Sequence, residues 1–179
     1  MKYISILRGI NVSGQKKIKM ADLKSLYESL EFKNVITYIQ SGNVIFDTKI
    51  QNKQEVINAI ETTIQRAYGF QVPVQIRTVL EISKLICSIP FNDVNLVENN
   101  TKVLITFLSS KPTKSAVESL QKHIIEPERL IVDNMHVYLY CPNGHGKSKL
   151  SNTFIEQKLG VSATTRNWKT VCQLQELAK

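Results

Sequence analysis

The 179-residue chain reads as an α+β protein, with a ferredoxin-like split β-α-β N-terminal half followed by a β-α-β-β-α-α C-terminal half. Two observations predict it. Apolar residues switch between the two-residue period of strands and the three-to-four spacing of helices, in the order β-α-β-β-α-β over residues 1–79. After a polar connector the same order begins again, with a helix where the last strand would stand. The expected organisation is therefore a ferredoxin-like domain over 1–79, a helix and connector over 80–101, and a second domain over 102–179.

Each element has its own signal. Lys2 to Val12 is an apolar run closed by Ser13-Gly14, a buried strand. Met20, Leu23, Leu26, Tyr27 and Leu30 form one helical stripe. Val35–Gln40 and Asn43–Asp47 flank Ser41-Gly42, a hairpin signal. Asn52 with Glu55 resembles a capping box, Val56, Ile60, Ile64 and Ala67 supply a face, and Gly69 ends the helix. Val72, Val74 and Ile76 alternate with polar residues, as in a strand. Ile82, Leu85 and Ile86 fit a short helix, and a run of asparagines follows.

In the second half, Lys102–Leu108 is a strand and Pro112 suits the first turn of a helix carrying Val117, Leu120 and Ile124. Arg129–Val132 and Met135–Cys141 make a hairpin across Asp133-Asn134. Two helices, about 148–159 and 167–178, complete the chain. No residue-level repeat supports a duplication.

Composition bounds the function. With 42% hydrophobic and 21% charged residues, the chain belongs with globular rather than disordered proteins. No stretch reaches the roughly 20 apolar residues of a membrane helix, and the start reads as a strand rather than a signal peptide. A cytoplasmic protein is expected, with no membrane partner. Cys87, Cys141 and Cys172 are odd in number, widely spaced and set in apolar stretches, so buried thiols are expected. The net charge of +8 is polarised. Residues 1–24 carry a surplus of five positive charges and residues 147–179 a surplus of four, while the middle is slightly acidic. Either the two ends form one anion-attracting face, or the lysines simply keep the protein soluble.

Four polar motifs stand at element ends. In Arg8-Gly9-Ile10-Asn11-Val12-Ser13-Gly14, glycines allow close backbone approach and Arg8 offers a fork to a carboxylate or phosphate; the alternative is a strand exit with Arg8 in a structural ion pair. Gln40-Ser41-Gly42-Asn43 holds groups that read a ligand or merely build a turn. Gly144-His145-Gly146-Lys147-Ser148 ends like a Walker A loop, but Cys141 stands where the first glycine belongs, leaving a looser anion nest or a solvated loop. Thr164-Thr165-Arg166-Asn167-Trp168 opens the last helix, where Thr165 or Asn167 can cap it. Trp168 reads as a core anchor or a stacking platform. The three histidines lack zinc-like spacing, so no metal is expected. GxGxxG, GxSxG and HExxH are all absent.

Leu7-Arg8-Gly9-Ile10-Asn11-Val12, Met20 with Leu23, Thr37-Tyr38-Ile39-Gln40-Ser41-Gly42-Asn43-Val44-Ile45-Phe46, Pro90-Phe91, Gly146–Leu150 and Thr165-Arg166-Asn167-Trp168 together resemble the bacterial domain-of-unknown-function family 1697. Members commonly carry glycine where this chain has Ser13. The resemblance implies an α+β fold with ferredoxin-like elements. It implies no activity, substrate, cofactor or catalytic residue.

The expected function is binding of an anionic or phosphate-bearing ligand, either nucleic acid or a phosphorylated small molecule. The expected site is Arg8, Asn11, Gly14, Gln40, Asn43, Gly146, Lys147, Ser148 and Arg166, gathered in one basic cleft. The split β-α-β order is shared with RNA-recognition modules. Gly42–Asp47 lacks their paired aromatics, while Tyr138 and Tyr140 share a strand face with His136. An enzyme acting on a small anionic substrate, with catalytic residues and cofactor unassigned, and a protein-interaction module are the alternatives.

Overall fold

The computed structural model describes all 179 residues. Strands β1 (Lys2–Leu7), β2 (Lys33–Tyr38), β3 (Asn43–Asp47) and β4 (Val74–Thr78) form an antiparallel sheet in the order β2-β3-β1-β4. Helices α1 (Met20–Ser29) and α2 (Lys53–Tyr68) cover one face, and α3 (Val79–Cys87) follows β4 directly. Alternation selects what each face buries. Tyr3 and Leu7 of β1, Val44 and Phe46 of β3, and Val74 and Ile76 of β4 join the α1 and α2 stripes in one core. Phe32 stacks on Phe46 at 4.6 Å, and Tyr27 meets Phe46 edge-on at 5.3 Å. Two polar groups enter this core and are satisfied there. Tyr27 and Ser5 share a hydrogen bond of 2.8 Å between their hydroxyls, and Ser5 Oγ lies 3.2 Å from the Val44 carbonyl. Burial pushes the Tyr27 phenol far above its ordinary range. On the sheet's other face, Ile4, Ile6 and Ile45 are buried as well.

The second sheet has β5 (Val103–Leu108), β6 (Arg129–Asp133), β7 (His136–Tyr140) and β8 (Ala163–Asn167) in the order β6-β7-β5-β8. Helices α4 (Lys114–Gln121), α5 (Asn152–Leu159) and α6 (Trp168–Leu177) complete it. Its element order is therefore β-α-β-β-α-β-α, as in the first sheet, and the strand orders match position for position. This corrects the expected β-α-β-β-α-α ending. Ala163–Asn167 has no apolar alternation to announce a strand. It becomes one by pairing with the fully buried β5, where Thr106 and Thr165 share a 2.8 Å hydroxyl bond. Thr113, rather than Pro112, opens α4 by accepting from the Ala116 amide.

The chain divides into two compact units, Met1–Lys84 with Leu174–Lys179, and Leu85–Gln173. The C-terminal residues join the first unit through definite bonds: Lys2 Nζ donates to the Ala178 carbonyl, and Gln175 Nε2 to Ser83 Oγ. No helix is long and apolar enough to cross a membrane. Cys141 is buried, Cys172 is partly buried, and Cys87 is exposed at the end of α3, against the expectation that all three are enclosed.

Caps delimit the helices. Asn52 Oδ1 accepts from the Gln54 amide, and Gly69 ends α2 in the left-handed region. At α3 a full capping box forms: Thr78 Oγ1 accepts from the Glu81 amide, while Glu81 Oε2 accepts from the Thr78 amide at 2.7 Å. Lys53 adds an ion pair to Glu81 at 2.6 Å. Partial burial works to raise the Glu81 pKa, but the bonds from Lys53 and Thr78 outweigh it and hold the carboxyl below its usual range.

Two predictions arise here. Gly42 has φ +78°, and an added Cβ would stand 2.6 Å from Ile10 Cδ1 and 2.9 Å from Leu7 Cβ. Gly69 has φ +77° with nothing near that position. Gly69→Ala should thus cost only backbone strain, about 1 kcal/mol, whereas Gly42→Ala adds overpacking and should cost about 2–4 kcal/mol. Denaturant melts of both variants check the difference. Glu81 has a folded pKa below its unfolded value, so its contribution is present above the unfolded pKa and is lost as pH falls through the folded one. Between about pH 6 and pH 3, the wild type should lose more stability than Glu81→Gln, measured by melting temperature.

Candidate functional site

The first unit's most irregular segment leaves the middle of its sheet. The Leu7 amide donates to the Gly42 carbonyl and the Arg8 amide to the Pro73 carbonyl, so the exit from β1 is held from both sides. Residues 8–19 then cross to α1. Gly9, Asn11, Ser13, Gly14 and Lys16 all have positive φ, between 44° and 75°. The Gln15 amide donates to the Val12 carbonyl and the Asn11 amide to the Lys16 carbonyl, closing a small hairpin. Ile10 and Ile18 are buried and anchor its two ends.

Asn11 holds this loop together. Its Oδ1 accepts from the Ile18 amide, and its Nδ2 donates to the Ile18 and Gln40 carbonyls, each at 2.9 Å. The φ of +56° is one that asparagine tolerates better than most residues. Three of the four hydrogen bonds that the Asn11 amide can make go to protein, so Asn11 pins the loop that lines the site.

Against the loop lies a cavity of about 640 Å³. Asn11, Gly14 and Gln40 line it, joined by Lys17, Lys19, Asp22 and Tyr68; Ile18 and Met20 supply apolar wall. Lys19 is the N-cap of α1 and makes no side-chain capping bond. The first amides of α1 therefore lack the side-chain acceptor that Thr113 provides for α4. Partial burial raises the Tyr68 pKa, and the Asp22 charge adds to it, so the phenol stays a neutral donor at physiological pH. A second cavity, of about 600 Å³, sets Glu31 and Asp47 against Lys33 and Lys49, charges that cancel.

The other sequence-derived candidates fall as follows. Arg8 is half-buried at the start of the loop. Asn43 is fully buried and donates to the Tyr38 carbonyl and Ser41 Oγ, which builds the β2–β3 turn. Gly146, Lys147, Ser148 and Arg166 belong to the second unit. There the glycine loop is a short 3-10 turn, His145–Lys147, separated from α5. The amides of Gly144, Lys147, Ser148 and Leu150 all donate within the loop, the last to Ser148 Oγ, and Ser151 caps α5. His145 Nε2 engages the Leu150 carbonyl rather than Ser148. Cys141 lies beneath, its thiol pushed up to about 11 by burial.

Arg166 has a counterpart. It pairs in register with Ile105 of β5 and donates from NH1 to the carbonyl of Thr165. Arg77 pairs with Ile4 of β1 and donates from NH1 to the carbonyl of Ile76. Burial lowers both pKa values, that of Arg166 to about 10. Each arginine precedes a cap residue, Thr78 for α3 and Asn167 for α6, where Asn167 Oδ1 accepts from the Thr170 amide. The two units thus share this arrangement. Trp168 is buried, as is Tyr138, whose hydroxyl donates to the Leu85 carbonyl. No cluster of three or more His, Cys, Asp or Glu side chains is placed to hold a metal ion.

Sequence reasoning missed Lys17, Lys19, Asp22 and Tyr68 as cavity residues. The signal for the first two was present, a Lys-Lys-Ile-Lys run between a glycine turn and a helix start.

Asn11→Ala removes three hydrogen bonds at about 1 kcal/mol each and leaves a strained φ. We expect a loss of about 2–4 kcal/mol, read from chemical denaturation.

The likeness to known proteins follows the fold. No curated protein matches the sequence. The solved structure of the conserved bacterial protein SP0830 from Streptococcus pneumoniae is similar at a TM-score of 0.75 and 19% identity, covering 99% of this chain and 98% of that one. At that identity the likeness shows a shared fold. The model of a family described as protein of unknown function (DUF1697) matches residues 1–138, more than half of the chain, and the chain belongs to that family.

Proposed function

We propose that the protein binds a small phosphate-bearing anion in the cavity between the 8–19 loop and the start of α1. Comparing the two units carries this reading. They share one topology, yet the first crosses from β1 to α1 in twelve residues and the second from β5 to α4 in five. The extra length costs closure entropy and backbone strain, and long loops of this kind are where binding groups concentrate. It brings Arg8, Lys16, Lys17 and Lys19, whereas residues 109–113 hold only Lys111. Two of those lysines line the cavity beside a helix start without a side-chain cap.

A small anion is favoured over nucleic acid. RNA-recognition modules stack bases on an open sheet face. Here Ile4, Ile6 and Ile45 are buried on the face opposite the helices, and Val103, Ile105 and Phe107 are buried in β5.

Calorimetric titration with pyrophosphate at low salt tests the reading. Replacing both Lys17 and Lys19 by alanine should weaken binding at least tenfold, about 1.4 kcal/mol, while Lys111→Ala should leave it unchanged. Equal affinity in the double variant and the wild type would remove the cavity from consideration.

A further inference from the structure

We infer that the ligand of this cavity is a nucleoside monophosphate, its phosphate at Lys17 and Lys19, its ribose at Asp22 and its base on Tyr68. The inference rests on the anion reading of the same site. A bare phosphate or sulfate does not account for the walls. At about 640 Å³ the cavity lies within the range of sites for whole small molecules. Two cations and one carboxylate line the cavity, and Asp22 repels an anion placed beside it. A carboxylate in such a position is suited to accept from neutral donors, and the paired hydroxyls of a ribose are the common case.

The aromatic wall supplies the third element. Tyr68 is half-exposed, and Phe70 backs it at 5.8 Å between ring centres with planes 30° apart. That support limits the ring's freedom, so a flat base can stack at little entropic cost. Met20 and Ile18 add apolar surface beside it. The side chain of exposed Gln40 carries both a donor and an acceptor for a base edge. A sugar phosphate would use the lysines and Asp22 but leave this wall wet.

Titration of the full chain with adenosine 5′-monophosphate, ribose 5-phosphate and inorganic phosphate separates the possibilities. The nucleotide should bind at least tenfold more tightly than ribose 5-phosphate. Tyr68→Phe should keep that advantage, and Tyr68→Leu should abolish it without changing ribose 5-phosphate affinity. Melting curves verify that the variants are folded. If the nucleotide and ribose 5-phosphate bind equally, the stacking inference is wrong and the anion reading survives. Should none of the three bind at low salt, the anion reading itself fails. The ligand comparison on the wild type decides the matter even if Tyr68→Leu does not fold.

Discussion

The central position of β1 governs the first unit. It is hydrogen-bonded along both edges, to β3 on one side and β4 on the other. A strand so placed has no freedom of register, because a one-residue slip would turn Tyr3, Ser5 and Leu7 away from the helices. Its exit is equally constrained, since the amides of Leu7 and Arg8 are taken by the neighbouring chain segments at Gly42 and Pro73. The loop must therefore start in the middle of the sheet edge and climb over the β2–β3 turn to reach α1. Gly42 lacks a side chain where Ile10 and Leu7 pass, and the Gln40 carbonyl is the point to which Asn11 ties the loop.

The same topology in the second unit acts as an internal control. Equivalent strands meet in equivalent order, and each fourth strand ends in an arginine followed by a helix cap. Arg77 and Arg166 bond the carbonyl of the residue before them, so one buried guanidinium is a recurrent solution to closing this fold. A ligand role for Arg166 would have to be added to that structural one. The β1–α1 loop has no such counterpart, which makes it the feature least explained by the architecture.

Much of this was legible in the sequence. The first unit announces itself because its strands alternate or run apolar, its helices carry apolar stripes, and α2 opens on the Asn52 cap. β8 does not, because Thr164, Thr165 and Arg166 are polar and their strand geometry comes from the neighbour they pair with. The recurrence of element order was legible, but no residue-level repeat was, because Arg77-Thr78 and Arg166-Asn167 match in chemistry over only two positions. Gly14, Asn11 and Gln40, singled out because turn chemistry is local, line the cavity. The lysines were counted as net charge, and Tyr68 extends the α2 stripe by one turn and so reads as core. Gly146–Ser148 looked like an anion loop because its spelling does. The Lys147 and Ser148 amides donate within the turn, a property of three-dimensional closure that no motif spells out.

The loop's charge also bears on its stability. Arg8, Lys16, Lys17 and Lys19 lie within twelve residues of a strained segment, and like charges so close repel. Lys16 is relieved by donating to the Gln71 carbonyl. Lys17 and Lys19 are exposed and face the cavity, where Asp22 supplies the one opposing charge. Rigidity has to come from elsewhere, and Asn11 provides it through uncharged bonds that salt does not screen. The second unit crosses from β5 to α4 in five residues with a single lysine. On the proposed reading, two lysines beside one carboxylate leave a surplus of positive charge for an incoming anion.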